Sequence, residues 1–453
     1  MITLRWDKGT LLIEGTPEDG WLPDGFVVDP RVGRLRAPAR CYREVATALH
    51  RARAPWTDEA RAFSTLSLVH HAHREPFPHQ TEAVAAWVAA GRRGTVVLPT
   101  GAGKSYVAEL AMLAAQRSTL VVVPTIELLN QWYDRLCMAF GIEVGLVGGG
   151  NYDLRDVTVT TYDSAYIHLE RLGNRFGLLI FDEVHHLPGP AYSQAAEGSL
   201  APFRLGLTAT LEREDGAHAI LDALVGPPCY RRDVTELRGD ILAEYTVETL
   251  EVELDSDERA RYDEARALFR GFVDENRISL RGHDGWRNFL QAASRSRAGR
   301  RAFQAHREQK GIAQAPRAKL RVVESLLRHH HGDRALIFTN DNRTAYLISR
   351  TLLVPAITHQ TDAKERKEIL DRFRDGTLRA IVTSRVLNEG VDVPSAAVGI
   401  VLSGTSTVRE HVQRLGRILR RDGDKQAVLY EVITTGTVEE AQSWRRRQHD
   451  AYR

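Results

Sequence analysis

Apolar and polar positions change rhythm along this chain. In ITLRW (2–6) and TLLIEG (10–15) they alternate with period two around the turn-like DKG, as half-buried strands do. YREVATALHRA (42–52) then takes up the spacing of an amphipathic helix. Residues 1–66 therefore predict a small α+β domain. From about 76 to 232 the pattern becomes short continuous apolar runs, TVVLP, TLVVVP, VTVTT, GLLIFDE and RLGLTAT, separated by helical stretches such as SYVAELAMLAAQ. Runs that are apolar on both faces belong to parallel strands covered by helices on either side. The rhythm returns after about 318 in RALIF, RAIVTS, AAVGIVLSG and AVLYEVI, whereas 251–317 is charged and helix-prone. The expectation is an α/β chain with two parallel sheets, at 76–232 and 233–453, the second interrupted by a helical insert at 251–317.

A length of 453 residues exceeds what one ordinary core organises, which suits several domains. With a net charge of only +2, any polyanionic partner must be met by local basic patches rather than by the overall field. Three dispersed cysteines, Cys41, Cys137 and Cys229, form neither a disulfide framework nor a zinc module and suit a reducing interior. No secretory pattern opens the chain, and no run nears the roughly 18 apolar residues of a membrane span. A cytoplasmic monomer with no membrane partner is expected. The basic residues are 54 arginines against seven lysines, and Lys104 is the single lysine between Lys8 and Lys310.

That lysine lies in LPTGAGKS, residues 98–105, between an apolar run and a helical pattern. Strand, glycine-rich turn and helix in succession aim main-chain N–H groups at phosphate. Thr100, Gly101 and Gly103 shape the loop, Lys104 would reach the β- and γ-phosphates, and Ser105 would hold Mg2+. Arginine's planar fork replaces a compact ammonium poorly in so tight a loop, which weighs against a mere glycine turn with a surface lysine. FDEVHH (181–186) ends the run GLLI with paired carboxylates: Asp182 as the Mg2+ partner, Glu183 as the residue that positions or deprotonates a water. A DE pair at a strand end is commonly just a solvated terminus, but here it follows a phosphate loop and precedes LTAT (207–210). In QRLGRILR (413–420), Arg414, Arg417 and Arg420 fall near one helix face and could meet a phosphate held elsewhere; a basic surface helix would look the same.

In order, LPTGAGKS, VVPTIELLNQW, TTYDSAY, FDEVHH, LTAT, ALIFTNDN, TSRVLNEGVDVP and QRLGRILR resemble the motif set of superfamily 2 helicases. The charged triplet Arg213, Glu214 and Asp215, directly behind LTAT, resembles the RED motif of XPB-type DNA helicases, and nearly the whole chain is similar to their compact archaeal form. That resemblance implies two RecA-like lobes with ATP and Mg2+ between them and a DNA strand across both. It places Gln80 of PFPHQ on adenine, Lys104 and Ser105 on phosphate and metal, and Asp182 and Glu183 on metal and water. His185 would couple the nucleotide to Gln413, Gly390 and Asp392 would sense it, and Arg417 and Arg420 would serve as arginine fingers. Pro124, Thr125, Thr161, Thr339, Thr383 and Ser384 would grip the DNA backbone. Residues 1–66 would sense damaged DNA, and 251–317 would contain a thumb-like element. Phe77 and Asn388 depart from the pattern, standing where many relatives have an arginine and an acidic residue. The implied activity is ATP-dependent, 3′-to-5′ opening or remodelling of duplex DNA in nucleotide excision repair, with a partner nuclease implied by archaeal relatives. Two alternatives stay open: a related translocase acting on RNA or duplex DNA, and a non-catalytic DNA-binding scaffold for a nuclease.

Three features are less specific. Residues 270–310 carry ten basic against four acidic side chains, with Trp286 and Phe289 interleaved, which suits DNA tracking and base stacking or a solvated helical face. His70, His71 and His73 of VHHAH suit a linker better than a metal site, and His329–His331 a solvated helix end. The triplet Arg213–Asp215 suits a wedge at the point of strand separation or an exposed ion-paired turn.

Overall fold

In a computed structural model of the chain, which describes residues 1–15, 26–71, 74–212, 215–233, 236–237, 245–280, 285–384, 396–402, 427–440 and 443, the alternating N-terminal segments pair as strands. β1 (Ile2–Asp7) and β2 (Thr10–Glu14) are antiparallel across the DKG turn. With β3 (Val27–Asp29), β4 (Arg34–Pro38) and β5 (Trp56–Asp58) they form a sheet ordered β3-β4-β2-β1-β5. The inward positions of the alternation, Ile2, Leu4, Leu11 and Ile13, close on Val45 and Leu49 of the helix Tyr42–Arg51. Each such burial contributes about 1.5–3 kcal/mol. Leu200, from the following domain, completes this core, and Arg43 bonds the carbonyls of Gly91 (2.6 Å) and Pro202 (3.3 Å). The connecting segment is tied down too: Ala62 N donates to Asn174 O and His71 N to Ala139 O. His70 Nε2 lies 2.8 Å from buried Glu109, which Arg135 also engages. His70 is thus a packed linker residue and His71 an exposed one held through its main chain, while His73 lies outside the described residues.

The chain divides into two units, Met1–Arg232 and Asp233–Arg453. In the first, β6 (Arg93–Val97), β7 (Thr119–Val123), β8 (Gly145–Gly148), β9 (Asn151–Asp153), β10 (Val157–Thr161), β11 (Leu178–Asp182), β12 (Phe203–Thr208) and β13 (Pro228–Arg231) form a sheet ordered β13-β6-β12-β11-β7-β10-β8-β9. All pairs are parallel except β8 with edge strand β9. β7, β10 and β11 are buried at every position, as their continuous apolar runs require. Strands β8, β9 and β13 had no such run to announce them. Arg204 of β12 is fully buried, its guanidinium donating to the carbonyls of Ala201 (3.1 Å), Leu224 (2.5 Å) and Ser199 (2.7 Å). Burial pushes it down to about 9.

In the second unit, β14 (Tyr245–Val252), β15 (Ala335–Phe338), β16 (Ala356–Ile357), β17 (Ala380–Thr383), β18 (Val398–Val401) and β19 (Ala427–Thr434) form an all-parallel sheet ordered β14-β19-β18-β15-β17-β16. Both large sheets have the helix-covered parallel architecture of RecA-like lobes. Helices Ser256–Glu275, Gly285–Ser294 and Arg297–Gln314 form the insert, and its composition misleads in one respect. Phe289 is fully buried against Phe269, Phe272 and Ala302 and is core rather than a platform for bases, whereas Trp286, whose ring centroid lies 5.0 Å from that of Phe289, is 41% exposed. The exposed face is arginine: Arg295, Arg297, Arg300, Arg301 and Arg307. His330 also departs from expectation, bonding Tyr430 Oη at 3.0 Å and Asp333 at 3.2 Å instead of pointing to solvent. Among the described residues no helix is long and apolar enough to cross a membrane.

Candidate active site

Strands β6, β12 and β11 are neighbours, and their carboxyl ends bring three motifs to one rim. Asp182 pairs with Leu207 across β11 and β12, Thr208 pairs with Val97 across β12 and β6, and Leu98 N donates to Thr208 O at 3.0 Å. Open parallel sheets place ligands at this end of the strands. After β6 the loop turns through Gly101 (φ 92°) and Gly103 (φ 80°) into the helix Lys104–Ala115. The left-handed backbone at Gly103 favours glycine, and a Cβ there would also displace the Gln80 amide.

Lys104 Nζ donates to the carbonyls of Leu98 (3.2 Å) and Pro99 (3.4 Å), which holds the ammonium inside its own loop. Ser105 occupies the first turn of the helix, and Thr100 Oγ1 is buried with no hydrogen-bond partner among the described residues. Gln80 grips the loop from behind: its Nε2 donates to Ala102 O at 3.2 Å, its Oε1 accepts from Phe77 N at 3.0 Å, and it is fully buried. His79 Nε2 also reaches Ala102 O, at 2.8 Å, and the half-exposed Phe77 ring stacks on His79.

Asp182 is fixed from three sides. Trp132 Nε1 donates to Oδ2 at 2.9 Å, Glu183 N donates to Oδ1 at 3.0 Å, and Tyr162 Oη donates to the main-chain carbonyl at 3.0 Å. Burial holds its carboxyl above the usual range, against the Trp132 hydrogen bond and the nearby Lys104 ammonium, which pull it down. Glu183 stands at φ 46°, a left-handed conformation costing a non-glycine residue about 1–3 kcal/mol. Its Oε2 is buried without a hydrogen-bond partner among the described residues, 3.4 Å from His185 Nδ1. His185 Nδ1 also lies 3.1 Å from Thr208 Oγ1. The Thr208 hydroxyl donates to Thr210 O, so its oxygen is left to accept, and Nδ1 carries the proton. The carboxylate motif and the LTAT motif are thereby joined through one histidine. Trp132, Tyr162 and the contact of His185 with Thr208 are parts that sequence reasoning did not assign. The tryptophan and tyrosine stood in VVPTIELLNQW and TTYDSAY, but nothing in their spacing says that both close on Asp182.

The residues placed on the DNA backbone divide similarly. Pro124 and Thr125 follow β7 and Thr161 ends the adjacent β10; the two hydroxyls accept from Leu128 N and Ser164 N, both at 3.2 Å, and cap the helices Ile126–Phe140 and Tyr162–Ile167. In the second unit Thr339, Thr383 and Ser384 are buried. Thr339 Oγ1 donates to the carbonyls of Asp341 and Thr383, and Thr383 Oγ1 to that of Ser384. Asp215 accepts from Ala217 N at 3.0 Å. Arg213, Glu214, Asn388, Gly390, Asp392, Gln413, Arg414, Arg417 and Arg420 lie outside the described residues.

A phosphate loop, a carboxylate pair at the next strand but one, and a second parallel lobe define a two-lobed RecA-like helicase ATPase. Residues 4–60 match the xeroderma pigmentosum group B helicase damage recognition domain, residues 73–213 the type III restriction enzyme res subunit, and residues 318–422 the helicase conserved C-terminal domain. The chain is 42% identical to the DNA 3'-5' translocase XPB2 of Sulfurisphaera tokodaii, over 87% of this chain and 95% of that one. It is 34% identical to the DNA 3'-5' helicase XPB of Kineococcus radiotolerans and 33% to that of Mycobacterium tuberculosis, over 80% and 77% of this chain. It spans 60% and 59% of those two proteins' lengths. The helicase domain of Pyrococcus furiosus Hef shares the fold, with a TM-score of 0.52 at 18% identity over 82% of this chain and 98% of that one. The chain belongs to the XPB family of superfamily 2 helicases, a family of ATP-using enzymes that act on DNA.

Proposed function

We propose that this chain is an ATP-dependent DNA helicase or translocase of 3′-to-5′ polarity that opens or remodels duplex DNA at single-strand junctions in nucleotide excision repair. The reading rests on the meeting of Lys104, Asp182, Glu183 and Thr208 at three adjacent strand ends. Unpartnered buried oxygens on Thr100 and Glu183 fit a site built for a polar ligand. Lys104 exchanges its loop carbonyls for the β- and γ-phosphates. Ser105 and Asp182 would hold Mg2+, whose charge would neutralise that developing on the phosphates. Glu183 orients the attacking water, and His185 passes the state of the site to Thr208 and so to the segment behind it. The family resemblance assigns Gln413, Arg417 and Arg420, with Gly390 and Asp392, to nucleotide sensing and hydrolysis; all five lie outside the described residues. Gln80 tethers the loop, and the exposed Phe77 ring offers adenine a flat face.

Thr125 and Thr161 act on DNA through the helix N-termini they cap, whose N–H groups favour phosphate. Thr339, Thr383 and Ser384 act by shaping the turns after β15 and β17 around main-chain donors. Arg213, Glu214 and Asp215 form the wedge at strand separation, and the arginine face of the insert tracks the backbone. The protein works as a cytoplasmic monomer that hands opened DNA to a nuclease. The test is ATP turnover measured with single-stranded DNA, forked duplex and RNA, using wild type and Lys104→Ala. Stimulation by DNA, abolished by Lys104→Ala with DNA binding retained, is expected. Stimulation by RNA alone, or turnover surviving the substitution, refutes the reading.

A further inference from the structure

On the flank of the first unit, an open cleft of about 520 Å³ is lined by Ala62, Tyr152, Leu154, Arg171, Asn174 and Arg175. Its Asn174–Arg175 side lies toward the amino ends of β7 and β11: Ser118, which precedes β7, donates its hydroxyl to Arg175 O and accepts from Gly177 N, just before β11. It is also the seam where the N-terminal domain leaves for the lobe. Asn174 clamps that exit, accepting from Ala62 N at 2.9 Å and donating from Nδ2 to Ala60 O at 3.1 Å.

The lining has a consistent chemistry. Among the described residues no carboxylate lines the cleft. Arg171 lies over the Tyr152 ring at 5.6 Å, with His168 edge-on to the same ring at 5.0 Å. Among the described residues the Arg175 guanidinium and the Tyr152 hydroxyl have no hydrogen-bond or ion-pair partner. Tyr152 is 43% exposed, and Tyr166 and Ile167, just ahead of His168, are exposed as well. Free guanidinium groups bind phosphodiesters, and an exposed aromatic ring serves an unstacked base, which a duplex does not offer.

We infer that this cleft is a second DNA site that holds one unpaired strand, with phosphates on Arg171 and Arg175 and a base against Tyr152. Its Asn174–Arg175 side lies toward the amino ends of β7 and β11, beside the domain whose family is described as recognising damage, while Tyr152 of edge strand β9 pairs with Val147 and so stands level with Thr160. The inference rests on the reading of the chain as a DNA helicase.

The experiment measures binding of the full chain to a labelled oligothymidine and to a closed hairpin duplex across a salt series. Each phosphate contact to a single strand contributes about 0.7 to the salt slope, so Arg171→Ala/Arg175→Ala should lower the oligothymidine slope by about 1.4. Tyr152→Ala should weaken oligothymidine binding roughly tenfold and the duplex far less. Iodouracil-substituted DNA should crosslink to Tyr152. Melting temperature and DNA-independent ATP turnover should match wild type, because the replaced side chains are exposed. An unchanged slope with crosslinks confined to other residues overturns the site, as does a polyglutamate peptide that binds through Arg175 while oligothymidine does not. Persistence of turnover in Lys104→Ala would refute the helicase reading without moving the salt slope, so the two failures are distinguishable.

Discussion

Trp132→Phe isolates one hydrogen bond to the candidate metal carboxylate. The indole donates to Asp182 Oδ2 at 2.9 Å, with both residues nearly excluded from solvent. Removing a donor from a buried, charged acceptor costs about 1.5–3 kcal/mol, and each 1.4 kcal/mol is a factor of about ten. The Asp182 carboxyl already lies above its usual range through burial, and loss of the donor raises it further. The anionic form needed to hold a cation therefore becomes scarcer, and the proton competes better. We expect the half-saturating Mg2+ concentration for ATP turnover to rise about 10–100-fold, as for other residues that hold a metal ligand in place. The acid limb of the pH profile should move to higher pH, and saturating Mg2+ should restore much of the rate. Turnover titrated with Mg2+ at saturating ATP is the assay, with thermal melting run alongside because the smaller ring leaves space. A half-saturating concentration within twofold of wild type would refute the claim that Trp132 sustains Asp182.

Replacing Arg213, Glu214 and Asp215 together by alanine should abolish strand separation on forked DNA while DNA-stimulated turnover continues; unaffected unwinding would leave the triplet as an ordinary surface turn. Arg204→Met should destabilise the first unit in denaturant melts, because three buried carbonyls lose their donor at about 1–3 kcal/mol each, less the relief of removing a buried charge; a higher melting point would mean that the charge dominates. In the insert, burial holds the His306 imidazole below its ordinary value of 6.5. The unfolded chain therefore takes up the proton first, so stability should fall as pH drops below about 6.5 and level off beneath the folded value. His306→Phe should remove that acid sensitivity, read as the pH dependence of melting.

Much of the fold was legible because its strands obey simple patterns. β6, β7, β10, β11 and β12 are buried on both faces and appear as unbroken apolar runs, and the N-terminal strands, covered on one face, alternate. Strands β8, β9 and β13 escaped notice because edge and near-edge positions tolerate Gly145, Asn151 and Pro228. β14 escaped because TVETLEV alternates instead of forming the continuous apolar run that marked other strands of its sheet. Phe289 and His330 show the limit of reading composition. An aromatic among arginines and a histidine in a row of three look exposed, and only packing partners far along the chain, Phe269 for one and Tyr430 for the other, reveal that they are not.

By itself the sequence determined the class of chemistry, because a phosphate loop needs glycine where φ is positive and a lysine within reach, and a strand-end carboxylate pair is a local arrangement. It also determined the family, through the order of motifs and the triplet after LTAT. Only tertiary structure decided how those motifs touch. It spaced Asp182, Trp132 and Tyr162 within hydrogen-bonding distance, joined His185 to Thr208, turned Gln80 onto the loop beside it, and left Tyr152, Arg171 and Arg175 around one cleft. These contacts depend on strand order and on the direction each side chain takes from its own turn. Neither quantity is written in the spacing of residues along the chain.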